Sequence, residues 1–152
     1  MSTSQRGRLY NILFHIVETV LLKLFFWETE PARIGKLIRF LHHGVLYILG
    51  ALLVFNHVVY QNYLLFLVLY ICCSIIWIQH IVTWDCLVSS IEAKFIGDSV
   101  GFLDPILEAM HIPVTKETST GVMILGSTLV ITMLTLELIS RTSLAIQGYF
   151  RR

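Results

Sequence analysis

Charge is what this 152-residue sequence has least of: Asp, Glu, Lys and Arg make up 14 % of it, against roughly 25 % in an ordinary soluble domain. With an apolar share of 56 %, a water-soluble fold is excluded. Neither sign prevails, because 11 basic and 10 acidic residues leave a net charge of +1. The chain therefore lacks the positive field that nucleic-acid binding requires. Three cysteines are too few, and odd in number, for a disulfide framework; Cys72 and Cys73 fall inside an apolar run, where thiols behave as small apolar groups. Also missing are a Thr-Val-Gly-Tyr-Gly filter, an arginine ladder, a Gly-x-Ser-x-Gly elbow, a glycine-rich phosphate loop and a His-Glu-x-x-His pair. No reaction is announced by motif.

What is present is long uncharged sequence. From Phe40 to Trp84, 45 residues carry no Asp, Glu, Lys or Arg, enough for two passes through a hydrocarbon core at about 20 residues each. Near the middle of that run, Asn56, His57, Gln61 and Asn62 form a polar cluster suited to a lipid–water boundary. The turn is expected at 57–62, with spans over about 38–56 and 63–84. A second uncharged stretch, the 19 residues from Thr118 to Leu136, predicts a third span over about 120–140. Helix is the form in which such a segment satisfies its own backbone in lipid.

Leu9 to Trp27 is apolar too, but Asn11, His15, Glu18, Thr19 and Lys23 recur at helical spacing and draw one polar stripe. That pattern predicts a helix lying in the membrane interface. The basic residues favour this choice. With 9–27 on the surface, Arg6, Arg8, Lys23, Arg33, Lys36, Arg39, Lys94 and Lys116 share the N-terminal side, and Arg141, Arg151 and Arg152 the other. A fourth span over 9–27, with Lys23 inside it, would divide the rest evenly and erase the positive-inside bias. His15 and Glu18 also interrupt any signal-peptide core, so the N-terminal segment is expected to be retained.

The fold class is thus all-α and integral to a membrane, with three transmembrane helices plus interfacial amphipathic helices. Residues 1–34 form the N-terminal interfacial helix and a linker containing Pro31; residues 35–84 form a transmembrane hairpin. An interfacial helical segment follows over 85–117, and 118–152 hold the third span and a short basic tail. In the interfacial segment, Leu87, Val88, Ile91, Phe95 and Ile96 share a helical face while Ser89, Glu92 and Lys94 lie off it. Asp85 is placed to cap that helix, and Lys94 and Asp98 to pair at i,i+4. Asp104 followed by Pro105 predicts a second helix, with Asp104 at N-cap and Pro105 at N1, ending by Pro113. Both short helices are expected along the inner membrane surface.

Cys86, Leu87, Val88, Ser89, Ser90, Ile91 and Glu92, directly after a span, resemble the hallmark Cys-Pro-Leu-Thr-x-Leu-Glu of a small uncharacterised family of bacterial multipass membrane proteins. Cys86 and Glu92 match that pattern; Ser89 replaces Thr, Ile91 replaces Leu, and Leu87 stands where the family has Pro. The order of parts is similar: His42 and His43 in a first span, a second span, the motif, a Phe-Leu-x-x-x-Leu stretch from Phe102 to Leu107, and a last span. The resemblance implies a three- or four-pass membrane protein and no particular activity.

A few side chains could carry chemistry. Counting from a turn at residue 60, His43 and His80 lie about 26 Å and about 30 Å along their helices, at similar depth, where two imidazoles could hold haem or frame a quinone. Asp85 and Cys86 are one turn beyond. Hydrogen bonding of these histidines to water, lipid phosphate or neighbours is the plainer reading. His15 and Glu18 share a helical face, read as the wet side of the interfacial helix. Glu137 is the one carboxylate in a span, a candidate for a proton path or small transporter, but it also stands one turn from Arg141 in the order that favours an ion pair. Thr128, Thr132 and Thr135, with Gly121 and Gly126, suggest a helix-packing seam.

Together these features point to a non-catalytic anchor or accessory subunit of a larger membrane assembly, with no resident cofactor. Its expected partners are the lipid bilayer and other membrane subunits or copies of itself. Asp85, Cys86, Glu92, Glu137 and Arg141 then have interaction or structural roles. The alternatives are an electron-transfer subunit using His43 and His80, and a transporter using Glu137.

Overall fold

The computed structural model describes residues 3–97 and 103–150; Asp98, Phe102, Arg151, Arg152 and the side chain of Arg6 lie outside the described residues. All the elements among them are helices: α1 (Thr3–Leu24), α2 (Pro31–Val58), α3 (Tyr63–Thr83), α4 (Leu87–Ile96), α5 (Asp104–Ala109) and α6 (Lys116–Phe150). Three of them, α2, α3 and the Lys116–Leu144 part of α6, are long and apolar enough to cross a membrane. The protein is an all-α, membrane-embedded chain.

Local chemistry sets where these helices start and stop. Glu28 folds its carboxylate back onto the backbone N–H groups of Thr29 and Glu30, and Pro31 opens α2 with the φ angle a first helical turn requires. The linker expected to run to residue 34 therefore stops at 30. At the far end of α2, Asn56 is 1 % exposed and donates to the carbonyls of Tyr60 and Asn62. Asn62 then caps α3 by accepting from the N–H of Leu65 at 2.9 Å. The turn lies where the polar cluster places it, with Asn56 inside the protein rather than at a wet boundary.

Two packing units make up the molecule. In the first, α1, α2 and α4 enclose Leu21, Phe25, Ile34, Ile38 and Ile91. Gly35 permits the contact: a Cβ there would lie 2.4 Å from Ile96 Cγ1 and 3.0 Å from Phe95 Cβ, so α4 rests on bare α2 backbone. In the second, α3 and α6 run antiparallel and share a hydrogen-bonded seam, with Tyr63 to Thr142, Tyr70 to Thr135 and Trp77 to Thr128 at 3.1, 3.2 and 3.0 Å. Both sets of partners advance by seven residues per step, the repeat that keeps two helices face to face. Gly121 and Gly126 have open space around them, and Thr132 is exposed, so the seam is made by Thr128, Thr135 and Thr142 instead.

The two short helices depart from their expected caps by one residue. Cys86, not Asp85, occupies the N-cap of α4. Asp85 instead accepts from the N–H of Cys86, the hydroxyl of Ser90 and the ammonium of Lys116. Leu103 precedes α5, so Asp104 is its first residue, and the Asp104 carboxylate accepts from Ser119 Oγ at 2.9 Å. In both places α6 supplies a donor to the carboxylate, the Lys116 ammonium to Asp85 and the Ser119 hydroxyl to Asp104.

Candidate functional site

The side chains with chemical potential gather where α3 turns into α4. Gln79 and Thr83 both donate to the backbone carbonyl of Asp85, at 2.6 and 2.7 Å, while Trp84 takes a left-handed conformation (φ 53°) and its N–H returns to the carbonyl of His80. This corner reverses the chain and delivers Cys86 to the start of α4, facing α2. A left-handed Trp costs on the order of 1–2 kcal/mol, which the hydrogen bonds around it offset.

Around Cys86 stand groups from three helices. His42 on α2 places Nε2 3.5 Å from Cys86 Sγ, and its Nδ1 lies 3.9 Å from Glu92 Oε2 on α4. His80, at the end of α3, is buried and also hydrogen-bonds the thiol; its Nδ1 has no partner. Arg39 donates from Nε to Glu92 Oε1 at 2.5 Å, against a Glu92 side chain that is only 5 % exposed. Burial pushes the Cys86 thiol up, but hydrogen bonds from His80 and Ser89 outweigh it and bring the net value below that of an ordinary thiol. The chain thus assembles a thiol, two imidazoles and a carboxylate, the parts of an activated nucleophile.

The imidazole meeting Cys86 from α2 is His42. His43, expected to face His80, packs its ring against that of His42, with centroids 5.6 Å apart. Helical spacing carries the missed signal: Ile34, Ile38 and His42 are each four residues apart, and the first two are core residues. His43 lies about 100° further round the helix. Among the described residues, no group of three or more His, Cys, Asp and Glu side chains is arranged to hold a metal ion.

Glu18, expected on the wet side of the interfacial helix, and Glu92, expected off the apolar face of α4, are both buried. Glu18 meets the Lys94 ammonium; Lys94 also lies over the Phe14 ring. His15, 75 % exposed, is the water-facing member of the His15–Glu18 pair. Buried carboxylates persist only when paired, and α4 supplies one partner to α1 while taking another from α2. Beside this region a cleft of about 440 Å³ is lined by Tyr10, Asn11, Thr83, Trp84, Asp85 and Lys116, with Gly7 at its edge.

The opposite end of the bundle holds a second polar cluster. Arg141 donates from Nε and Nη2 to Glu137 Oε1 at 2.9 and 2.5 Å, and from Nη1 to Asn56 Oδ1 at 3.3 Å. Its guanidinium stacks 4.5 Å over Phe66, and His57 Nδ1 lies 3.2 Å from Glu137. The Glu137 carboxylate is thus engaged by a cation on its own helix and by a histidine of α2.

No protein-family model, curated protein or solved structure matches this chain.

Proposed function

We propose that the chain is a non-catalytic anchor or accessory subunit of a larger membrane assembly. The observation that supports this reading is how little of the spanning helices the protein itself covers. In the most apolar 18-residue windows of α2, α3 and α6, 6 %, 17 % and 0 % of residues are buried. α6 engages α3 along one seam, leaving Gly121, Gly126, Thr132 and Ser140 on open faces. Small and weakly polar residues are what membrane helices use to approach a neighbouring helix closely. The charged groups near the span ends are meanwhile engaged: Arg39 of α2 pairs with Glu92 of α4, and Arg141, paired with Glu137 of its own helix, donates to Asn56 of α2.

Gentle extraction in a mild detergent, followed by sizing and identification of copurifying proteins, tests the proposal. The expected outcome is a particle well above the 17.4 kDa of one chain, containing further membrane subunits or copies of this one. A stable solitary monomer overturns it. The same preparation is expected to be colourless. A Soret band lost on His80→Ala would replace the proposal with the haem-bearing redox subunit, and flux into liposomes abolished by Glu137→Gln would replace it with a transporter.

A further inference from the structure

We propose that the cleft between α1, the end of α3 and the start of α6 binds the headgroup of a zwitterionic phospholipid, its phosphate toward Lys116 and its ammonium toward Asp85 and Trp84. Depth is the first argument. The span in α3 ends at Thr83 and the span in α6 begins at Lys116, and both residues line the cleft, so it opens where the hydrocarbon core gives way to headgroups. α1 closes its other side with Gly7, Tyr10 and Asn11. From the cleft toward the core, α3 exposes Ile81 and Ile78, and α6 exposes Val122 and Leu125. A lipid whose headgroup fills the cleft thus has apolar side chains along which to lay its acyl chains.

Charge supplies the second argument. Asp85 and Lys116 are the two charged residues among those lining the cleft, and their side chains meet at 3.0 Å. A ligand with negative charge alone is attracted by Lys116 and repelled by Asp85, and a ligand with positive charge alone meets the reverse. A phosphodiester tethered to an ammonium satisfies both. Neither side chain is used up by the other. The Lys116 side chain is 76 % exposed, and Asp85 takes one of its three N–H donors. Asp85 accepts from the Cys86 N–H, the Ser90 hydroxyl and Lys116, three of the roughly four places that a carboxylate offers. Trp84 is exposed beside it, an indole of the kind that sits at headgroup depth and attracts cations.

Size agrees with this occupant. The cleft measures about 440 Å³, within the range of roughly 300–1,000 Å³ typical of small-ligand sites. Tyr10 and Asn11 add a phenol and an amide, neutral groups able to hydrogen-bond either end of the headgroup. Phosphatidylethanolamine is the natural probe, because its ammonium carries N–H donors for Asp85. This inference does not rest on the accessory-subunit reading, because a single chain carries the whole cleft.

The experiment uses the full chain, freed of bound lipid in mild detergent and titrated with phosphatidylethanolamine or phosphatidylglycerol of identical acyl chains, with bound lipid counted by native mass spectrometry. The expected result is one phosphatidylethanolamine held about tenfold more tightly than phosphatidylglycerol, the step of one hydrogen bond to a charged group. Lys116→Gln should lose that preference, while Lys36→Gln, which removes an exposed cation of α2 outside the cleft, should keep it. Folding of each variant is checked by its elution with the wild type. If Lys116→Gln does not fold, Asn11→Trp, which puts bulk into the cleft from an exposed position on α1, takes its place with the same expectation. Glycerophosphoethanolamine, the same headgroup without acyl chains, separates a lipid from a free phosphodiester and should not displace the lipid at equal concentration. Equal binding of the two lipids, loss of the preference in Lys36→Gln as well, its survival in the folded cleft variant, or displacement by the free headgroup each overturns the proposal.

Discussion

Removing the Glu92 carboxylate would leave the Arg39 guanidinium and the His42 ring without the anion that both approach, since Arg39 Nε contacts Oε1 at 2.5 Å and Glu92 is buried. Truncating one member of a buried ion pair strands the other, a loss of roughly 3–5 kcal/mol. Arg39 is 30 % exposed and can reach water, so Glu92→Ala is expected near the low end, at about 3 kcal/mol, in a denaturant titration of the protein in micelles. An unchanged midpoint would show that water already carries the guanidinium. Cys86 offers a pH dependence of defined sign. Its thiol is held below the ordinary range by His80 and Ser89 against the opposing effect of burial. Its contribution to stability is therefore complete above the pH where an unfolded thiol ionises and is lost as pH falls through the lowered native value. Alkylation of Cys86 by iodoacetamide should likewise level off at a lower pH than that of a cysteine in a short peptide. These roles were only partly legible beforehand. Cys86 and Glu92 stood out as the two positions that match the hallmark of the bacterial family they resemble, but a carboxylate off the apolar stripe reads as solvated, and only the arrival of Arg39 from 53 residues away makes its burial tolerable.

Between α3 and α6 the interaction is a ladder rather than a surface. Tyr63, Tyr70 and Trp77 each reach a threonine of α6, and in lipid such a pair competes with no water. Interhelical hydrogen bonds within membranes still average only about 0.6 kcal/mol, because the separated helices find other partners. A double-mutant cycle on Tyr70→Phe and Thr135→Val should give a coupling of about that size, while the same cycle on Tyr70 with Thr132, which is off the seam, should give none. Equal coupling for both threonines would contradict the register. Between α2 and α4 the contact is steric instead. Gly35→Ala places a methyl group 2.4 Å from Ile96 Cγ1, an atom near the backbone with little freedom to retreat, and overpacking of this kind costs about 1–3 kcal/mol. The spans themselves were readable because an uncharged run of that length has few alternatives. The ladder was not, because Tyr and Trp count as apolar in such a reading and the threonines have partners only once α6 is laid against α3. His42 was missed for a related reason: depth along a helix was counted, and rotation about it was not.

At the scale of the whole molecule, three crossings have a consequence that no single helix carries. The polar groups collect at two levels. One holds Glu18, Lys94, Arg39, Glu92, Asp85 and Lys116, and the other holds Asn56, His57, Glu137 and Arg141. Between them α2 and α3 run without a charge, over about the 30 Å of a hydrocarbon core. α1 shares the first level, since its Glu18 is joined to Lys94 of α4, and it is not among the helices apolar enough to cross. The corner before α2 and the turn after it must then open on opposite sides of the membrane. Thr29→Cys and Gln61→Cys, each in a chain whose native cysteines are replaced by serine, test this directly, because both positions lie in exposed turns. In sealed vesicles of one orientation, a membrane-impermeant maleimide should label one of the two, and the other only after detergent opens the bilayer. The basic residues specify the sides as well: Arg8, Lys23, Lys36 and Lys116 belong to the level of Thr29, so that level should face the cytoplasm-equivalent compartment. Labelling of both cysteines from the same side would mean that α2 does not cross, and its exposed apolar residues, Phe40, Tyr47, Ile48 and Val54 among them, would then need a cover other than the hydrocarbon core.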